Sequence, residues 1–377
     1  MDSAVLVTDP PQVLERDSAG WEQAIGGVAN RAAVFAIFPE QGAPYLSRTA
    51  LLRRRLERLL GPRAQPSRLL HLGEVARRIE YWPTAGRLES SLLLYGLARR
   101  YYTDDYSRIL KLRAPVAVKL ILTNPFPRTQ VTTRLSASES IDFGPFVSRD
   151  AASEFEAGFL DFFQLRRCQE DLVPSPDHPG CMYGEMNKCL RPCQMVVSEP
   201  EYASEAARVA AFLRSGGRSL VDSMRAARDQ LSEELEFEQA ARMHKRMEKV
   251  STLLQSRGEL ARDAARLAGV AVTPSAWPES VKLWFFLDGC WRAAVTFSLA
   301  VEQGRPVSLD RRLREVVAAL PEPRRVSLRE RQEHLALLAS WFYSSWREGE
   351  WIAMPDLGQL PFRKLVNAIH RTMQPQG

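Results

Sequence analysis

Apolar residues along the chain alternate between short continuous runs and helical stripes. Residues 32–38 (AAVFAIF) form an apolar run closed by Pro39-Glu40-Gln41-Gly42, and residues 43–47 (APYLS) follow. Two strands joined by that turn predict a hairpin. From Thr49 the period changes: Leu51, Leu52, Leu56, Leu59 and Leu60 make one stripe, with Arg48, Arg53, Arg54, Arg55 and Arg58 around much of the rest. This predicts a basic helix stopped by Gly61-Pro62. Residues 78–82 read as a third strand, 88–102 as an apolar helix closed by Asp104-Asp105, and 116–123 with 129–135 as a second hairpin through Asn124-Pro125-Phe126-Pro127.

Residues 136–200 are loop-rich apart from a helix from 151 to about 163. Residues 202–258 carry two long helical patterns with a break near Leu235-Glu236-Phe237. The region 259–278, with Gly269 and two prolines, reads as a linker. Residues 281–287 and 291–299 flank Asp288-Gly289, a strong hairpin signal. Two helices, 308–320 and 328–348, are expected to end the ordered chain. The pattern predicts a multidomain α+β protein: a loosely held lead-in over 1–30 with a helical turn at Trp21, a small α/β domain over 31–110, a hairpin and Cys-rich region over 111–200, a helical hairpin over 201–258, and a linker with a small α+β domain over 259–377.

Composition narrows the class. The 377 residues include 45% hydrophobic positions, enough for several cores, so disordered and collagen-like readings are excluded. The net charge is only +6, yet just seven of the 51 basic residues are Lys. Arg presents a planar fork suited to phosphate, so a polyanionic partner is plausible. The first twenty residues carry acids and prolines where a signal peptide would be basic and then apolar, and no window reaches the apolar length of a membrane span. A cytoplasmic location is the expectation.

Four of the five cysteines, Cys168, Cys181, Cys189 and Cys193, fall within 26 residues; Cys290 stands apart. Four thiols in a segment with too few apolar residues for its own core point to a metal that supplies folding energy. Zinc and an iron–sulfur cluster both accept four cysteines. The absence of a paired C-x2-C knuckle suits the larger group somewhat better. Buried thiols or disulfides are the plain alternative.

Phe143-Gly144-Pro145-Phe146, Arg166-Arg167-Cys168, Cys181 and Cys189-Leu190-Arg191-Pro192-Cys193, in this order, resemble the middle region of the excinuclease subunit UvrC. Asn124-Pro125-Phe126-Pro127-Arg128 with Val131-Thr132 resembles that family's FPR-x-x-VT hairpin. The resemblance implies a [4Fe-4S] cluster, with zinc as the alternative, on the four cysteines. It also implies a bacterial DNA-repair protein of nucleotide excision repair, acting on damaged double-stranded DNA.

The resemblance further implies a GIY-YIG nuclease fold at the N-terminus. Phosphodiester cleavage needs a base for water, a cation for developing phosphate charge and a carboxylate for a divalent metal. Phe35, Tyr45 and Arg55 keep the family's spacing of ten. Tyr45 would orient or deprotonate water and Arg55 would clamp phosphate. Arg48 matches a family Lys, and Arg48, Arg53, Arg54 and Arg58 would face DNA. Phe35 replaces a tyrosine and Ser47 a glycine. Glu89 would hold Mg or Mn only if the helix start slips by one residue; otherwise Ser90 takes that place, and one residue is about 100° of helix. The expectation is a metal-dependent endonuclease making one incision, or a catalytically inactive relative that binds DNA and partner. Packing of Tyr45 as a strand residue and solvation of Arg53–Arg55 are the plain structural alternatives.

Leu235-Glu236-Phe237-Glu238-Gln239-Ala240-Ala241-Arg242 resembles the UVR motif. The resemblance implies that Leu235, Phe237, Glu238, Ala240 and Ala241 pair with a UvrB-like helicase. By periodicity alone, Phe237, Ala240, Ala241, His244, Met247 and Val250 form one helix face of an ordinary hairpin. His244-Lys245 departs from the family's Arg-Asp. The C-terminal region lacks the spaced carboxylates of an RNase H-like site, and neither that nuclease nor a helix-hairpin-helix segment is expected here.

Overall fold

The computed structural model describes residues 6–16, 20–61, 70–103, 105–136, 139–299, 308–322, 324–354 and 360–373. Pro62 and Asp104, expected at two helix ends, lie outside them. The first stretch runs β1 (Gln12–Glu15), α1 (Glu22–Gly26), β2 (Ala33–Pro39), β3 (Tyr45–Thr49), α2 (Leu52–Leu60), β4 (Ala76–Pro83), α3 (Arg87–Tyr102) and α4 (Tyr106–Leu110). The middle contains β5 (Val116–Ile121), β6 (Arg128–Thr132), β7 (Ile141–Phe146), α5 (Arg149–Leu160), α6 (Met182–Glu185), α7 (Glu199–Arg214), α8 (Arg218–Glu233), α9 (Phe237–Ser256) and β8 (Arg262–Asp263). The last stretch is β9 (Ala268–Pro274), β10 (Ser280–Leu287), β11 (Cys290–Ser298), α10 (Leu309–Ala318), α11 (Leu328–Phe342), β12 (Glu350–Met354) and α12 (Phe362–Met373).

The architecture is α+β, with three antiparallel four-stranded sheets ordered β1-β4-β2-β3, β6-β5-β7-β8 and β11-β10-β9-β12. Two compact units result. One holds residues 1–113, 268–325 and 340–377, and the other holds 114–267 and 326–339.

In the first unit, β2 is central and pairs with β3 and β4, setting Phe35 between Ser47 and Tyr81. Leu52, Leu56, Leu59 and Leu60 of α2 bury their stripe against this sheet and Trp21; their spacing is one helix face. The lead-in is not loose in the described residues: β1 pairs with β4 over four residues. Its mostly exposed side chains leave no alternation in the sequence to reveal it.

The C-terminal sheet belongs to the same unit. Asp288 and Gly289 both take positive φ (51° and 74°), as a tight primed turn between β10 and β11 demands. The stretch read as a linker supplies β9, an interior strand paired with β10 and β12. Gly269 within it is required by close approach, because a Cβ there would run into the Trp351 ring. β12 and α12 continue the fold beyond the helices expected to end it.

The second unit packs α5 and α7 on the β5–β7 face. Phe143, Phe155, Phe159 and Phe212 form its aromatic centre, with Phe143 and Phe155 stacked at 5.1 Å. The FGPF segment, read as loop, is strand β7. Residues 202–258 contain three helices where two were expected: α7 joins the core, while α8 and α9 make the hairpin.

Candidate functional site

The β2–β3 hairpin and α2 bring Tyr45 and Arg55 together. Arg55 Nη2 donates to the Tyr45 hydroxyl at 3.1 Å, and both are half-buried. The Phe35 ring is fully buried, 6.2 Å from that of Tyr45. Tyr102 donates its hydroxyl to the Pro44 carbonyl, tying the end of α3 to the hairpin. Arg48 Nη1 donates to Ser91 Oγ at 2.8 Å. Arg53, Arg54 and Arg58 are exposed, with Arg53 3.9 Å from Glu57.

Glu89 is placed differently. It is 3% exposed, accepts a hydrogen bond from the Ala85 amide at 2.8 Å, and lies 3.9 Å from Lys282 Nζ on β10. Burial pushes its carboxyl up to about 7, against the opposing pull of the Ala85 amide and Lys282. Among the described residues no hydrogen bond or ion pair joins it to Tyr45, Arg48 or Arg55. Ser90 is also buried and donates its hydroxyl to the Arg87 carbonyl at 3.1 Å. A hard divalent ion wants several oxygen ligands and retained water. A buried carboxyl facing an ammonium offers neither, so Mg or Mn does not fit at Glu89.

The cysteine region lies on loops below α5 and α7. All four thiols are free; Cys189 and Cys193 are buried, Cys168 half-buried and Cys181 exposed. Burial pushes the Cys189 thiol up to about 11, and the neighbouring thiols of Cys168, Cys181 and Cys193 add to the rise. Among the described residues no three metal-ligating side chains are gathered tightly enough for a single ion. Cys189 Sγ accepts from the Arg191 amide at 3.4 Å, and Cys168 Sγ from Arg166 Nη1 at 3.5 Å.

Arg166 is a residue for which the sequence offered no role. It is 1% exposed, and its guanidinium donates to the carbonyls of Phe126, Cys168 and Glu170 at 2.9, 3.3 and 2.7 Å. Tyr202 accepts from its amide and donates to the Pro127 carbonyl. The β5–β6 turn, Cys168 and α7 are thus pinned to one buried cation. Of the four cysteines, Cys168 thus lies beside a fixed positive charge.

The helical hairpin turns at Leu235, whose φ is 63°. Leu235 and Phe237 are 72% and 64% exposed, and Glu238 lies 3.7 Å from Arg242. The packed face of α9 is in part the one expected: Met247 and Val250 of that stripe face the core beside Met243 and Leu254, with Ala240 half-buried, whereas Phe237, Ala241 and His244 point to water. Both stripes have helical spacing, and the tertiary partner selects between them.

Residues 116–212 match the family described as the UvrC/Cho excinuclease middle domain. The chain is similar to UvrC proteins over part of its length. It is 24% identical to the UvrABC system protein C of Caulobacter vibrioides over 211 residues, covering 56% of this chain and 33% of that protein. It is 27% identical to the Carboxydothermus hydrogenoformans protein of the same name, covering 59% and 37%. With that of Oleidesulfovibrio alaskensis it shares 29% identity, covering 52% and 27%. The chain thus spans well under half the length of these relatives. No solved structure matches it significantly. No described helix is long and apolar enough to cross a membrane.

Proposed function

We propose that this chain serves bacterial nucleotide excision repair as a UvrC-like protein that binds damaged double-stranded DNA and a UvrB-like helicase. The observation that carries the reading is the cysteine quartet, four free thiols inside the segment that matches the UvrC/Cho middle domain. Cys168, Cys181, Cys189 and Cys193 would hold a [4Fe-4S] cluster, which supplies a covalent cross-link between loops lacking their own core. The exposed Leu235 and Phe237 at the hairpin turn, with Glu238, Ala240 and Ala241 behind them, are the surface for the helicase. Arg53, Arg54 and Arg58, exposed on α2, take the phosphates. Anisotropy of a lesion-bearing duplex with and without a UvrB-like helicase tests this: no salt-dependent affinity and no ternary complex would sink it.

A second reading is a single incision at the N-terminal site, and the Tyr45–Arg55 hydrogen bond favours it because it joins the water-orienting and phosphate-clamping groups. Without a carboxylate fit for metal, no metal-dependent step is derived. Cleavage of the duplex in Mg²⁺ or Mn²⁺, abolished by Tyr45→Phe with Arg55→Ala, would establish it over the first.

A further inference from the structure

The first turn of α3 is enclosed by residues from far along the sequence. Gly86 at its N-cap has no capping side chain, and the Glu348 carboxylate instead accepts from the Leu88 amide at 3.0 Å. A Cβ on Gly86 would meet that carboxylate at 2.5 Å. Strand alternation delivers the second contact. Val281, Leu283, Phe285 and Leu287 of β10 pack in one core with Leu313 of α10 and Leu365 of α12, so Lys282 projects from the opposite face. Its Nζ lies 2.6 Å from Asp9, donates to Thr296 Oγ1 at 2.9 Å and stands 3.9 Å from Glu89. An ammonium has three donors and no acceptor. Asp9 and Thr296 take two, and Glu89 faces what remains.

We propose that Lys282 is the resident cation of the N-terminal site: its ammonium stands where a divalent ion would have to stand to use Glu89, and the C-terminal sheet thereby closes that position against metal. A second cation beside a 3%-exposed ammonium would be repelled at short range with little water to screen it. The inference deepens the reading of this chain as a DNA-binding protein, and it rests on the GIY-YIG resemblance with the one-residue slip that puts Glu89, and not Ser90, at the metal position.

The test uses the full chain and Mn²⁺ itself. Electron paramagnetic resonance of free Mn²⁺ during titration is expected to superimpose for wild type and Glu89→Gln. A Mn²⁺ site present in wild type and lost in Glu89→Gln overturns the proposal, and this comparison needs no variant at Lys282. Lys282→Met is expected to lower the thermal midpoint by about 5 °C, and adding Glu89→Gln to recover about half. Strictly additive effects of the two substitutions also overturn it. Absence of DNA affinity alongside the expected Mn²⁺ result would remove the functional reading and leave Lys282 as the counter-ion of Glu89.

Discussion

Arg55 donates to the hydroxyl of Tyr45 across 3.1 Å, joining a helix to the hairpin that precedes it. The bond fixes one end of a planar guanidinium and leaves its other donors to face an anion. Arg55→Ala is expected to lower affinity for duplex DNA several-fold and to reduce the salt slope by about one, while Arg58→Ala lowers affinity less because its side chain is exposed and no hydrogen bond among the described residues orients it. Anisotropy titrations at two salt concentrations measure both.

Glu89 makes stability depend on pH. Its folded value is raised from 4.5 to about 7, so the folded state holds the proton more tightly than the unfolded chain. Its contribution is full below pH 4.5 and is lost as pH rises through 7, an effect on the order of 3 kcal/mol at most. Glu89→Gln removes this dependence. The difference in thermal midpoint between Glu89→Gln and wild type should therefore grow in favour of the variant from pH 5 to pH 7.5.

Cys189 and Cys290 are both buried, in different units. Anaerobically purified protein is expected to be brown and to absorb near 400 nm. Cys189→Ala should abolish that absorbance, and Cys290→Ala should leave it intact. A colourless preparation containing stoichiometric zinc would refute the cluster.

Leu235 and Phe237 contribute little to their own fold, because most of each side chain already meets water. Replacing both with Ser should change the thermal midpoint by no more than about 1 °C, as surface substitutions do. Capture of a UvrB-like helicase should fall at least tenfold, the loss of two apolar anchors. A fall in stability without a fall in capture would mean the turn is structural.

Legibility followed range. The β2–β3 hairpin, the α2 stripe and the Asp288-Gly289 turn were readable because their signals lie within a few residues. β9 was not, since Gly269 and the prolines look like a linker until Trp351 is seen lying against the glycine. The face of α9 was legible at Met247 and Val250 but not at Phe237, Ala241 and His244, because overlapping stripes share one period and only the tertiary partners choose between them. Lys282 was visible as one cation in an apolar strand, yet nothing local announces Asp9, 273 residues away, or Glu89. Arg166 lay inside a quoted motif, but its carbonyl partners come from separate loops.

That separation has a consequence for synthesis. The ribosome releases Asp9 and the β1–β4 sheet long before it makes Lys282 and Glu348, and residues 114–267 of the second unit are made before either. Domains fold as they emerge, and contacts so distant along the chain close slowly. The layer that is translated first is consequently completed last, with the start of α3 uncapped and Glu89 without its cation until the final sheet arrives.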